Sequence, residues 1–168
     1  MIDNEVRQAF EAVFECECPR ELLEAISPDS RVTYVSDYTT EGIAQTVQSA
    51  KDGNLDSLDK MAREMARYVS EGDTLVPVPG ESGRATVTLE LAKRIGWLSG
   101  AHVADLLVGR ESGEGKSLEL VREPPGHVLL VDTAVGEGET MKEALEKIPG
   151  SRGLAYAVDP GKYAGQTT

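Results

Sequence analysis

The sequence predicts an α/β fold: an open, mainly parallel, five-stranded sheet with helices on its faces. Three observations carry that expectation. Short runs rich in β-branched and aromatic residues alternate with helical stretches of about ten to fifteen residues, the signature of βαβ units. One run, Val128-Leu129-Leu130-Val131, is apolar at every position, as a strand buried on both faces of a parallel sheet must be. Two runs end in glycine-bearing loops that lead into helices, the usual connection at the carboxyl edge of such a sheet.

The elements follow in order. Val6, Phe10, Val13 and Phe14 form one apolar stripe at helical spacing, and Leu22, Leu23 and Ile26 form another, broken by Ser27-Pro28-Asp29. Arg31–Tyr38 alternates with β-branched and aromatic residues and reads as a strand. Ile43, Ala44 and Val47 mark a helix, and Leu58, Met61, Ala62, Met65 and Val69 mark the next, with Lys51-Asp52-Gly53-Asn54 between them. Thr74–Pro79 is an apolar strand that runs into Gly80-Glu81-Ser82-Gly83, then a helix with Ala85, Leu89, Ala92 and Ile95 facing inward. His102–Val108 is the third strand, Gly109–Lys116 a polar loop, and His127–Asp132 the central strand. The turn Thr133–Glu139 opens a helix bearing Met141, Ala144, Leu145 and Ile148, and Gly153–Val158 is the last strand before Asp159-Pro160-Gly161. All 168 residues form one domain on this reading, 1–70 as an N-terminal helical and hood part and 71–160 as the sheet core. Trp97 is expected to pack at the edge of the core.

Composition narrows the functional classes. Twenty-nine acidic residues against 17 basic ones give a formal charge of −12, which argues against nonspecific nucleic-acid binding and against an anionic membrane surface. No apolar run approaches the ~20 residues that span a bilayer, and the acidic, amphipathic start does not read as a signal peptide. Cys16 and Cys18 have no second pair to form a four-ligand zinc site or a disulfide framework, and His102 and His127 are the only histidines. A cytoplasmic setting is the expectation.

Chemistry is expected at the two loops. Pro79–Arg84 and Asp132–Thr140 each place glycines at a helix start, where backbone N–H groups and the helix dipole favour an anion. An acid at the end of a buried strand, as Asp132 is, suits a ribose diol or Mg²⁺. Short glycine motifs also occur as plain strand–helix turns, and either loop alone is compatible with that.

Together the two loops resemble a family. VLLVDTAVGEGETMKEAL is similar to the signature of type I phosphoribosyltransferases: four hydrophobics, two acids, a short turn, then Thr-Gly-x-Thr opening a helix. LVPVPGESGRATVTLELAKRIG resembles that family's pyrophosphate loop and following helix, and Tyr34–Val69 with TLVPVP looks like the ComF-like, competence-associated branch, with Lys51-Asp52-Gly53 as its Lys-x-Gly element. The resemblance covers roughly residues 31–160 and implies a Rossmann-like core with a hood. It also implies Mg²⁺-dependent transfer of a phosphoribosyl group from phosphoribosyl pyrophosphate to a small nitrogen nucleophile, in nucleotide metabolism, by a homodimer.

Residue by residue, it implies that Asp132 binds the ribose hydroxyls and the metal, with Asp132 and Glu137 as the catalytic acids. Thr133, Ala134, Val135, Gly136, Glu137, Gly138, Glu139 and Thr140 would surround the 5-phosphate, and Pro79, Gly80, Glu81, Ser82, Gly83 and Arg84 would hold the pyrophosphate. Gly109–Lys116 would be a flexible cover, and Arg31–Lys51 part of the hood.

The match departs from the pattern at Thr133, where the second acid is expected, and at Glu137, where a threonine is. Glu139 adds another acid. The amino-terminal zinc module of many ComF-like proteins is absent, and the segment between Val108 and Val128 is short for that branch's basic loop. A carboxylate about 4 Å from a phosphate charge costs ~4 kcal/mol at an effective dielectric of 20. A second function class therefore stays open: an inactive member of this fold that binds nucleotide or phosphate as a regulator or assembly module.

Other chemistries fit less well. Gly115-Lys116-Ser117 would end a nucleoside-triphosphate loop only with glycine at position 110, which is Arg110. Ser82 and Ser112 have no His and Asp constellation for a hydrolase.

Overall fold

In the computed structural model the described residues are 31–38, 40–80, 83, 85–112, 115–135 and 139–158. The amphipathic stripes expected before residue 30, with Cys16 and Cys18, lie outside them. Five parallel strands make the main sheet: β1 (Val32–Asp37), β2 (Asp73–Pro77), β3 (His102–Val103), β6 (His127–Val135) and β7 (Arg152–Val158), in spatial order β1-β7-β6-β2-β3. A second, two-stranded antiparallel sheet pairs β4 (Leu107–Ser112) with β5 (Gly115–Leu120). The helices are α1 (Ile43–Lys51), α2 (Leu55–Ala66), α3 (Val87–Ser99) and α4 (Glu139–Lys147).

Two layers cover the sheet. On one face, Val47 and Ala50 of α1, Met61 and Met65 of α2, and Leu91 and Ile95 of α3 meet Leu75, Val131, Leu154 and Tyr156 of the strands. Asn54 caps α2 by accepting a hydrogen bond from the Ser57 N–H at 3.0 Å. On the other face, Met141, Ala144 and Leu145 of α4, with Ile148 just after it, pack with Leu106, Leu107 and Leu118 of the hairpin over Val76, Leu130 and Ala155. Gly153 makes that second packing possible. A Cβ there would stand 2.9 Å from Met141 Sδ and 3.1 Å from both Val32 methyl carbons, so the bare backbone lets α4 and β1 close over β7.

Several expectations need correction. His102–Val108 is not one strand. After β3 the Ala104 N–H still donates to Leu75 O, at 2.9 Å, and the chain then leaves the sheet; the Val121 N–H donates to Leu106 O, at 2.8 Å, and closes the hairpin. The expected polar loop Gly109–Lys116 belongs mostly to the paired strands β4 and β5. The central strand runs on past Asp132 to Val135, so that residue sits within β6 rather than at its end. β1 joins β7 as an edge strand, and α1 and α2 belong to the helical layer. In α3, Leu91 is buried where Leu89 was expected to face inward, and Leu89 is half-exposed. Trp97 lies 89% exposed rather than against the core. Among the described residues no helix is long and apolar enough to cross a membrane.

Candidate functional site

The connections leaving β2 and β6 diverge. From β2 the chain passes through α3 to β3 on one side, and from β6 through α4 to β7 on the other, although β2 and β6 are hydrogen-bonded neighbours. That reversal opens a crevice at the carboxyl ends of the two strands, the place where open α/β sheets bind ligands. A cavity of about 300 Å³ lies there, lined by Pro79, Gly80, Gly83, Gly109, Ser117, Leu118, Asp132, Thr140 and Glu143.

The floor is fixed by hydrogen bonds. The Val78 N–H donates to Val131 O at 2.9 Å, and the Thr88 hydroxyl donates to Val78 O at 2.7 Å, so the end of β2 is tied both to β6 and to the first turn of α3. The Gly83 N–H donates to Gly80 O at 3.0 Å, which holds these two glycines together past the end of β2. Gly83 takes φ +80, a value that suits glycine. Thr86 precedes α3 without capping it through its side chain.

The roof is the hairpin, held at two points. The Gly109 N–H donates to Gly83 O at 2.9 Å, and the two backbones meet so closely that a Cβ on Gly83 would lie 2.7 Å from Gly109 O and one on Gly109 2.9 Å from Gly83 Cα. On the far side, the Leu118 N–H donates to Glu143 Oε1 at 2.7 Å, which ties β5 to α4. Arg110 and Glu119 form an exposed ion pair across the hairpin.

Asp132 lies on the cavity wall with its acidity strongly altered. Burial pushes its carboxyl up to about 7, opposed by the Thr133 N–H, the Lys51 cation, the Ala134 N–H and the Thr133 hydroxyl. The Thr133 N–H donates to Asp132 Oδ1 at 2.7 Å. A carboxyl that titrates near neutrality in a crevice is able to give or take a proton under ordinary conditions.

Of the residues expected from sequence, Asp132, Thr140, Pro79, Gly80 and Gly83 line one cavity. Thr133 and Val135 are buried, and Val135 belongs to the apolar core under α4. Ala134 is half-buried in β6, and Glu139 opens α4. Glu81, Ser82, Arg84, Gly136, Glu137 and Gly138 lie outside the described residues. Sequence reasoning missed Glu143, Ser117 and Leu118 as lining residues, and missed the electrostatic reach of Lys51 to Asp132, while Gly109 was expected in the cover. The signal for Glu143 was present: it stands three residues after Thr140 in α4, one turn along the same side of the helix.

Two solved structures are similar to this chain at low sequence identity. One is a hypoxanthine phosphoribosyltransferase from Staphylococcus aureus, at 13% identity and TM-score 0.42, covering 70% of this chain and 66% of that one. Another is a hypothetical protein from Neisseria gonorrhoeae with bound ppGpp, at 13% identity and TM-score 0.37, covering 73% of this chain and 69% of that one. This chain thus spans just under two thirds of the first of these proteins. No family profile and no curated protein sequence matches it.

Among the described residues no three His, Cys, Asp or Glu side chains cluster as a protein-built metal site. Mg²⁺ commonly takes only one or two carboxylates and completes its shell with water and substrate phosphates, and the half-buried Asp132 on the cavity wall, with one oxygen held by a backbone N–H, matches that mode.

Proposed function

We propose that this crevice binds a phosphorylated ribose and that the protein transfers a phosphoribosyl group from phosphoribosyl pyrophosphate to a small nitrogen nucleophile. The observation that carries the reading is the convergence of Asp132, Thr140, Pro79, Gly80 and Gly83 on one cavity at the switch between β2 and β6. The sequence resemblance of both loops supports it.

In this reading the start of α4 holds the 5-phosphate, through backbone amides and Thr140. The turn after β2 offers amides to the pyrophosphate. Asp132 accepts hydrogen bonds from the ribose hydroxyls and keeps a negative charge near the sugar as positive charge develops at the anomeric carbon. Mg²⁺ supplies charge neutralisation on the pyrophosphate when bound, and Asp132 is the residue that would hold it. The clamped hairpin limits water at the sugar, which matters because water competes with the nitrogen nucleophile. The ComF-like branch is the sequence reading that fits the Lys51-Asp52-Gly53 element, and Lys51 acts on the Asp132 charge.

One observation favours a second reading, in which the protein binds phosphoribosyl or nucleotide ligands without turnover. The described cavity lining has two carboxylates, Asp132 and Glu143, and no lysine or arginine. Titration calorimetry with phosphoribosyl pyrophosphate and Mg²⁺ tests both. Binding accompanied by pyrophosphate release on addition of nitrogen bases supports transfer, and binding without release supports the second reading. No detectable binding at millimolar ligand removes both.

A further inference from the structure

We propose that a cavity at the amino edge of the main sheet is a second ligand site, and that it takes a small α-amino acid in its zwitterionic form. The cavity measures about 180 Å³, and its polar lining residues are Thr33, Tyr68, Ser70, Asp73, His127 and Arg152. Asp73, His127 and Arg152 open β2, β6 and β7, so the pocket lies where the strands begin, at the opposite end from the crevice. Among the described residues none from a helix lines it, so the three-helix layer stops short of this edge.

Strand alternation explains why polar groups gather there. Leu75, Leu129, Leu154 and Val35 face the helical layer. The residues two places before them, Asp73, His127, Arg152 and Thr33, therefore lie on the same face of the sheet. Four neighbouring strands, in the order β1-β7-β6-β2, each bring one polar side chain to one place. Thr33 is only 6% exposed, and its hydroxyl has no hydrogen-bond partner among the described residues. A buried hydroxyl in that state is costly, and a polar group of a bound ligand satisfies it.

Charge and size select the ligand. β2 and β7 flank β6, so the backbones carrying Asp73 and Arg152 stand two strand spacings apart, about 10 Å, with His127 between them. A carboxylate on one side and a guanidinium on the other match a molecule that carries both signs. Asp73 accepts the Ser70 N–H on Oδ2 at 2.8 Å. A carboxylate has lone pairs for further donors, here the ammonium of the ligand. Arg152 and His127 donate to the ligand carboxylate, the guanidinium through its planar fork. A simple anion would be repelled by Asp73 and by the net −12 of the chain, whereas a zwitterion has no net charge to repel. At about 30 Å³ per water the space holds about six water-sized groups, which suits alanine or serine and is too small for a nucleotide.

The inference is independent of the crevice chemistry. Calorimetric titration of the full chain with glycine, alanine and serine tests it, with propionate and ethylamine as the deaminated and decarboxylated counterparts of alanine. The expected result is saturable binding of at least one of the amino acids at millimolar concentration or below, with propionate and ethylamine each weaker by at least about tenfold. Asp73→Asn and, separately, Arg152→Gln should each weaken the amino acid by at least about tenfold, with an unchanged far-ultraviolet spectrum. His127→Gln, at an exposed position, keeps the test sound should either of them fail to fold. Absence of binding at millimolar amino acid overturns the proposal, as does propionate binding as tightly as alanine, or amino-acid binding that survives the substitutions. None of these three residues lines the crevice, so loss of this site leaves binding of phosphoribosyl pyrophosphate there to be judged separately.

Discussion

The two layers on the sheet are built differently, and the difference separates stability from chemistry. Three helices close one face, and Met61, Met65, Leu91, Ile95 and Tyr156 there have no exposed surface. Burial pushes the Tyr156 phenol above its usual range, with Glu64 beside it adding to the effect. The other face is shared by one nine-residue helix and a hairpin, which meet the sheet without filling its carboxyl-edge corner. The unfilled corner is the cavity. A layer of regular helices buries everything beneath it; a layer assembled from a short helix and a borrowed hairpin leaves room for a ligand.

The contrast can be tested from both sides. On the closed face, Leu91→Ala should destabilise the protein by about 2–5 kcal/mol, the range for a large core side chain cut back to a methyl, with ligand affinity unchanged at temperatures where it stays folded. Urea unfolding beside calorimetry reads both. On the open face, Gly83→Ala should cost ~1–2 kcal/mol for a side chain at positive φ, and more from the Gly109 contact. It should also displace the hairpin and weaken phosphate-ligand binding by far more than Leu91→Ala does.

Asp132→Asn sharpens the comparison through pH. The folded-state carboxyl titrates near 7 and an unfolded one near 3.8. The folded protein therefore holds the proton more tightly, and this contribution to stability is fully present below pH 4 and lost as pH rises through about 7. The variant lacks that loss. Its stability relative to the native chain should rise between pH 4 and pH 8, by something on the order of 1–3 kcal/mol once partial hydration of the carboxylate is allowed for. Thermal denaturation at both pH values measures it, and equal pH slopes for the two proteins would count against a perturbed Asp132. Glu143→Ala removes the acceptor of the Leu118 N–H and should cost about 1–2 kcal/mol, with faster amide exchange confined to β4 and β5. Arg94→Ala, which breaks only partly exposed ion pairs, should change stability by less than about 1 kcal/mol.

Much of the architecture was legible because one periodicity dominated each stretch. The apolar run in β6 and the stripe Leu58–Met61–Ala62–Met65 of α2 are local patterns whose burial follows directly. The hairpin was not legible as read, since Gly109 and the polar residues through Lys116 suggest a loop. Yet two residues, Gly113 and Glu114, separate its strands, and a two-residue spacer beginning with glycine is a hairpin signal. Trp97 was misplaced because an aromatic on a helix favours burial, and only the arrangement of α2 beside α3 reveals which side faces out. The motifs singled out Gly80 and Gly83 after β2 and Asp132 in β6, and these three line one cavity. Ser117 and Leu118 reach the cavity only through tertiary packing, which no spacing in the chain encodes.

β3 contributes two residues to the rim of the sheet before the chain turns away. A border that short exposes hardly any unpaired amides, so an extended segment from another molecule finds nothing to zip onto there. The departure that builds the roof over the cavity also blunts this side of the sheet against runaway self-association. Lengthening β3 by a few residues would hand back a template for fibrous growth.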